Sequence, residues 1–227
     1  MSIKSRILAA TAALTVVGGL GTVGALSASA ATPSCGPRCI DIFSREFGTH
    51  HHPNFVLDVF RGSATAGTPI ILYRTSNTDK AEDFNVSFQG TVADFFAAGL
   101  VSSALNLHYS HNWAFEFEYT PNGVSTNLCI GTAGTAANGT PVVLVPCGAS
   151  AKSVWVVDSR DSVGRGYVPL INGSDTNFSH PYVLHYPGNG HPTDTPRPQL
   201  NTWNLQKYSN GTVFDNELWG ASFGVLR

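Results

Sequence analysis

Three sets of side chains in this sequence could do chemistry: a run of histidines, a pair of glutamates and four cysteines. His50-His51-His52 offers imidazoles for a metal ion. Neighbouring residues on an extended chain point to opposite sides, so the three cannot easily share one ion. No Glu or Cys stands at a ligating spacing beside them, and the run reads as a solvated loop before Pro53. Glu116 and Glu118 share one face of an alternating stretch, Phe115-Glu116-Phe117-Glu118-Tyr119. Paired carboxylates can hydrolyse glycosides, but two acids on the polar face of a strand are the simpler reading. There is no His-Glu-x-x-His helix or Walker loop. Gly-x-Ser-x-Gly spacing occurs at Gly220-Ala221-Ser222-Phe223-Gly224 and Gly-x-Gly-x-x-Gly spacing at Gly19 to Gly24 in an apolar N-terminal stretch, and neither has the strand-turn-helix context that a nucleophile elbow or a dinucleotide turn requires. No metal or other cofactor is expected, and no catalytic residue is assigned.

The cysteines belong with the first thirty residues. Lys4 and Arg6 precede an apolar stretch, Ile7 to Leu20, and Ala28-Ser29-Ala30 supplies small residues at a cleavage position. That order is a secretory signal. Gly18, Gly19, Gly21 and Gly24 interrupt the run and no basic stop-transfer cluster follows, which argues against a membrane anchor. Export with cleavage near Ala30 is expected, leaving 31–227 as a single domain released from the cell or held at its surface. The Ala-rich signal points to a bacterial source. In an exported chain, Cys35, Cys39, Cys129 and Cys147 are expected to form disulfides. Three pairings are possible, and Cys35–Cys39 with Cys129–Cys147 is the economical one.

Without Lys4 and Arg6 the remaining 11 basic and 15 acidic residues leave a net charge of −4, with no basic stripe, so nucleic acid is not expected as a partner. Gly and Pro are plentiful and long helix-forming runs are missing, which favours an all-β chain with many turns.

The elements that must position any site recur along the chain. Phe55-Val56-Leu57-Asp58-Val59 is followed by Gly67-Thr68-Pro69-Ile70-Ile71-Leu72-Tyr73, then Glu82-Asp83-Phe84. Leu128-Cys129-Ile130-Gly131 is followed by Gly139-Thr140-Pro141-Val142-Val143-Leu144-Val145-Pro146-Cys147, then Ser153-Val154-Trp155. A looser third unit runs Tyr182-Val183-Leu184-His185-Tyr186, Arg197-Pro198-Gln199-Leu200 and Glu217-Leu218-Trp219. Each unit has two short strands around a Gly/Pro turn and a closing aromatic. One unit cannot bury its aromatic alone, but three around a common axis can.

These segments resemble the ricin B-chain-like lectin repeat over roughly residues 53 to 221. The resemblance implies an all-β, β-trefoil fold of three pseudo-symmetric units. That repeat closes on Gln-x-Trp, and here Glu82, Ser153 and Glu217 replace the Gln. Leu72 and Leu144 lie 72 residues apart and Leu144 and Leu200 lie 56 apart, longer than the family's repeats, so 85–127 is expected to hold inserted material. The third unit carries a Pro-rich loop from Pro187 to Pro198.

The resemblance also implies a sugar site made of an Asp after the first strand, an aromatic on the second and polar groups near the closing motif. Such a set matches a pyranose, which has CH groups on its face and hydroxyls on its rim. In the first unit Asp58 and Tyr73 stand at those positions, with Asn77 and Glu82 as further contacts. Ala81 replaces a family Asn and Ile71 a family Gln. The second unit looks blind, with Gly131 for the Asp and Val145 for the aromatic. In the third, His185 takes the Asp position and Gln199 matches a family Gln, with Trp203 and Tyr186 nearby. The expected function is carbohydrate binding without catalysis, best in the first unit. The rival is a trefoil that has lost sugar binding and serves as a protein-interaction, inhibitor or envelope-associated module. A hydrolase using 85–127 is the least favoured reading.

Overall fold

The computed structural model describes residues 39–47, 55–75, 79–164, 166–188 and 198–223. The signal segment, Cys35, His50–His52, Asn77 and most of the Pro187–Pro198 loop lie outside them.

Twelve strands follow in chain order: β1 (Cys39–Ser44), β2 (Phe55–Val59), β3 (Ile70–Arg74), β4 (Phe84–Thr91), β5 (Trp113–Tyr119), β6 (Leu128–Thr132), β7 (Thr140–Pro146), β8 (Trp155–Val157), β9 (Leu170–Asn172), β10 (Tyr182–His185), β11 (Asn201–Asn204) and β12 (Trp219–Phe223). They form three units of four. The outer strands of each unit close a barrel through the pairs β1–β4, β4–β5, β5–β8, β8–β9 and β12–β1, completed by a bridge between Val168 and Trp219. The inner pairs β2–β3, β6–β7 and β10–β11 are hairpins. The hairpins meet around the axis, where Leu200 N–H bonds to Ile70 O and Val142 N–H to Leu200 O. Closure removes the exposed sheet edges that an open β-sheet would carry. This is the β-trefoil arrangement.

The turns follow from the residues in them. Gly67 and Gly139 adopt positive φ, 86° and 79°, which lets the chain enter β3 and β7. Their N–H groups bond to Leu144 O and Thr202 O respectively. The closing aromatics Phe84, Trp155 and Trp219 begin β4, β8 and β12, and all are buried in one core cluster. Each indole N–H finds a carbonyl on the second strand of its own unit: Trp155 bonds to Ile130 O at 2.9 Å and Trp219 to Leu184 O at 2.8 Å. Phe84 carries no such donor.

The extra material is narrower than the expected 85–127, because β4 and β5 are regular barrel strands at its two ends. The insertion is 92–112 and holds two short helices, α1 (Val92–Ala97) and α2 (Ser103–Tyr109). Thr91 and Asp94 form a capping box on α1, and Ser102 caps α2. Phe95, Leu105 and Tyr109 pack with Val154, Val156, Ile171 and Val183 in a second apolar cluster. The insertion is therefore anchored by its own core. No helix among the described residues is long and apolar enough to cross a membrane.

Cys129 and Cys147 form a disulfide across the ends of β6 and β7, with Cα atoms 5.0 Å apart. Cys39 is also disulfide-bonded, and its expected partner Cys35 lies outside the described residues.

Of the two strand glutamates, Glu116 corrects the sequence reading of solvated acids, whereas Glu118 stays partly exposed. Glu116 is only 3% exposed. It accepts hydrogen bonds from Gly148 N–H at 2.9 Å and from the Ser153 hydroxyl. Glu118 accepts from Asn127 N–H and the Ser125 hydroxyl. Both carboxylates bond loops of the second unit, Glu116 as a buried acid that keeps its hydrogen bonds and Glu118 at the surface.

Candidate functional site

Hairpin register fixes which residues of the three units are equivalent. Asp58 faces Ile71 and Val56 faces Tyr73 in the first unit. Gly131 faces Val143 and Cys129 faces Val145 in the second. His185 faces Asn201 and Val183 faces Trp203 in the third. Asp58, Gly131 and His185 are thus equivalent, as expected.

The third unit's second strand is displaced by two residues from the sequence alignment. Thr202, not Leu200, matches Leu72 and Leu144, and Leu200 matches Ile70 and Val142. Gln199 therefore does not stand opposite His185. Its side-chain amide donates to Val142 O at 3.1 Å and its backbone bridges to Ile71, so it ties the hairpins together. Tyr186 is fully buried in the core cluster and offers no face to a ligand.

In the first unit Asp58 and Glu82 are nearly buried and Tyr73 is half-buried. A 3-10 turn at Lys80–Glu82, capped by Asp79 through Ala81 N–H, brings the acids together. Carboxylate oxygens of Asp58, Asp79 and Glu82 lie within 4.8 Å of one another. Glu82 also accepts from the Thr75 hydroxyl at 3.2 Å. Such a cluster concentrates acceptors, suited to hydroxyl donors or to a hard cation. Its field reaches Tyr119, whose hydroxyl is pushed up to about 12 by burial first and then by Asp83, Asp58 and Asp79.

The second unit is closed. A Cβ at Gly131 would meet the Val145 side chain and lie 2.8 Å from Lys152 O. No larger side chain fits there without moving backbone.

The third unit holds a neutral polar cluster against an aromatic ring. His185 Nδ1 is 2.8 Å from Asn201 Oδ1, and Asn216 Nδ2 is 3.1 Å from His185 Nε2. With the amides assigned this way, Nδ1 carries the proton and Nε2 accepts. Burial lowers the imidazole's pKa, and the bond to Asn201 opposes that only in part. The ring stacks on Trp203, with centroids 5.7 Å apart and 30° between planes. Trp203, Asn201 and Asn216 are all half-buried. Asn216 also donates to Tyr186 O, and its buried Oδ1 has no hydrogen-bond partner among the described residues.

Next to Asn216 in the chain, Glu217 is fully buried and accepts from Gln206 N–H at 2.7 Å. Burial pushes its pKa up to about 8. Near neutral pH its carboxyl therefore keeps its proton and carries both a donor and an acceptor, as the amide of a Gln does.

Asn201 and Asn216 escaped the sequence reading. Asn216 could have been found, because it precedes Glu217-Leu218-Trp219 as Ala81 precedes Glu82-Asp83-Phe84, and Ala81 stands where the resembling family has an Asn. Asn201 needed the register.

No protein-family model matches the sequence, and no curated protein does. Solved structures do match in shape. The designed three-fold symmetric protein ThreeFoil superposes with a TM-score of 0.52 at 15% identity, over 81% of this chain and 96% of its own. The fold is a β-trefoil. An exo-β-1,3-galactanase from Clostridium thermocellum matches with a TM-score of 0.52 at 12% identity, over 82% of this chain, which spans only 30% of the galactanase. A ricin B-like lectin from Macrolepiota procera, in complex with lactose, matches less closely, with a TM-score of 0.48 at 18% identity over 82% of this chain and 95% of its own.

Proposed function

We propose that this chain is an exported carbohydrate-binding protein without catalytic activity, released by cleavage near Ala30, and that it holds sugar at its third and first units. The observation that carries the reading is the third-unit cluster. His185, Asn201 and Asn216 gather around the half-buried ring of Trp203. A sugar's CH face fits the ring, and its hydroxyls can exchange hydrogen bonds with the half-buried Asn201 amide beside it. The first unit offers a carboxylate version of the same plan, Asp58 and Glu82 with Tyr73, and Asn77, outside the described residues, remains a further candidate from sequence. The sequence placed the better site in the first unit. The amide set of the third unit moves that preference.

The experiment is glycan-array binding of the oxidised chain 31–227, with Asp58→Ala, Tyr73→Ala and Trp203→Ala. Loss of signal in Trp203→Ala supports the third unit, and loss in Asp58→Ala or Tyr73→Ala supports the first. Silence of the unmodified protein across neutral and acidic glycans would sink the reading. A second reading, a trefoil turned to protein partners at a cell envelope or to inhibition, draws on one observation. All three Gln positions of the closing motifs are replaced, by Glu82, Ser153 and Glu217. Array silence together with capture of a defined partner would favour it.

A further inference from the structure

The helical insertion does more than cover the barrel. Tyr109 at the end of α2 forms one wall of a cleft of about 610 Å3. The other walls are the turn after β8, the loop before β10 and the chain leaving β11, which contribute Arg160, Phe178, His180, Leu205 and Lys207. None of these residues belongs to the three equivalent positions on the hairpins. The volume falls within the range of about 300–1,000 Å3 typical of small-ligand sites.

One side of the cleft is apolar. Phe178 and Leu205 are half-buried, and Phe178 is held in place by stacking on His108, centroids 4.3 Å apart and 21° between planes. The other side is polar and ordered. Arg160 grips Asp158 with Nε and Nη2, both at 3.0 Å, and its guanidinium carbon stands 5.4 Å from the centroid of the Tyr109 ring. Lys207 Nζ bonds Asp161 at 2.6 Å. Asp158 is nearly buried, whereas the Arg160 side chain is 66% and the Lys207 side chain 41% exposed. Each cation is thus fixed by its own carboxylate; Arg160 also hydrogen-bonds the Tyr109 side chain, and Lys207 has two N–H donors outside its ion pair. The two ion pairs together carry no net charge.

We infer that this insertion-built cleft is a second saccharide site, taking a neutral oligosaccharide whose CH faces lie on Phe178 and Leu205 while its hydroxyls bond Arg160, Lys207 and His180. Hydroxyls both donate and accept, so they suit a wall that mixes fixed cations with carboxylates. A charged ligand would meet no net opposite charge in these two pairs. The inference rests on the carbohydrate reading above, though not on its residues.

The test uses calorimetry with cello-, xylo- and galacto-oligosaccharides and with oligouronides. It compares the unmodified chain, Tyr73→Ala/Trp203→Ala, and that variant with Phe178→Ala/Lys207→Ala added. The double variant is expected to keep binding a neutral oligosaccharide, with little salt dependence, and the added pair to weaken that binding by about tenfold or more. Phe178→Ala/Lys207→Ala alone, still binding through Trp203, shows that the chain folds. If the unmodified chain binds but the double variant does not, the cleft is no site and the trefoil reading stands. Residual binding indifferent to the added pair, or confined to oligouronides and abolished by salt, also overturns it. A chain that binds no glycan at all overturns both readings.

Discussion

The first and third units present the same backbone plan with opposite electrostatics. In the first, three carboxylates crowd within 4.8 Å beside Tyr73. In the third, an imidazole with its pKa lowered by burial sits between two amides beside Trp203, and the residue after Asn216 is a glutamate whose pKa is raised to about 8. A ligand meets concentrated acceptors in one and balanced donors and acceptors in the other. The second unit shows the limiting case, in which a glycine lets neighbouring atoms fill the position altogether. A repeated fold thus fixes where a site can be, while the side chains at three or four equivalent positions decide what it accepts.

The closed unit is the strongest contrast to break. Gly131→Asp, which copies the first unit's acid, is expected to destabilise the chain by about 2–4 kcal/mol, since it forces a Cβ against Lys152 O and buries a charge. Denaturant midpoints check this, and an unchanged midpoint would mean the second unit is open after all.

Glu217 comes next. The folded state keeps its proton up to about pH 8, whereas the ordinary carboxyl releases it near 4.5. Its contribution is therefore full below the ordinary value and is lost as pH rises through the folded one. Melting temperature should fall as pH rises across this window. Glu217→Gln should flatten part of the slope and stabilise the protein at alkaline pH by about 1–3 kcal/mol. A slope unchanged in that variant would show that Glu217 does not titrate there.

For binding, Trp203→Ala should cost the third unit about tenfold in affinity or more, measured by calorimetry in a Tyr73→Ala background. Equal losses from the two aromatics would erase the preference for the third unit. The smallest expected effect is a null one. Because burial lowers the His185 pKa below the ordinary imidazole value, third-unit affinity in the same background should change little between about pH 7 and about pH 6. A steep loss over that interval would show that His185 charges in the bound state.

Local sequence determined the strands, turns and plugs. β-branched and aliphatic runs bounded by Gly and Pro specified β2, β3, β6 and β7, and the closing aromatics had nowhere to be buried but a shared core. The equivalence of Asp58, Gly131 and His185 followed from those runs, as did the pairing of Cys129 with Cys147 as neighbours across one hairpin. The phase of β11 was hidden for a definite reason. Side chains in a strand alternate with period two, so sliding by two residues keeps every side chain on its face. Leu200 and Thr202 are interchangeable by pattern, and only pairing with Leu184 and His185 separates them. The burial of Glu116 was hidden in the same way: alternation puts it opposite Phe115 and Phe117, but only the folded second unit brings Ser153 and Gly148 over that face. The cleft beside Tyr109 is wholly a product of the tertiary structure, since its walls come from four segments that nothing local in the chain relates to one another.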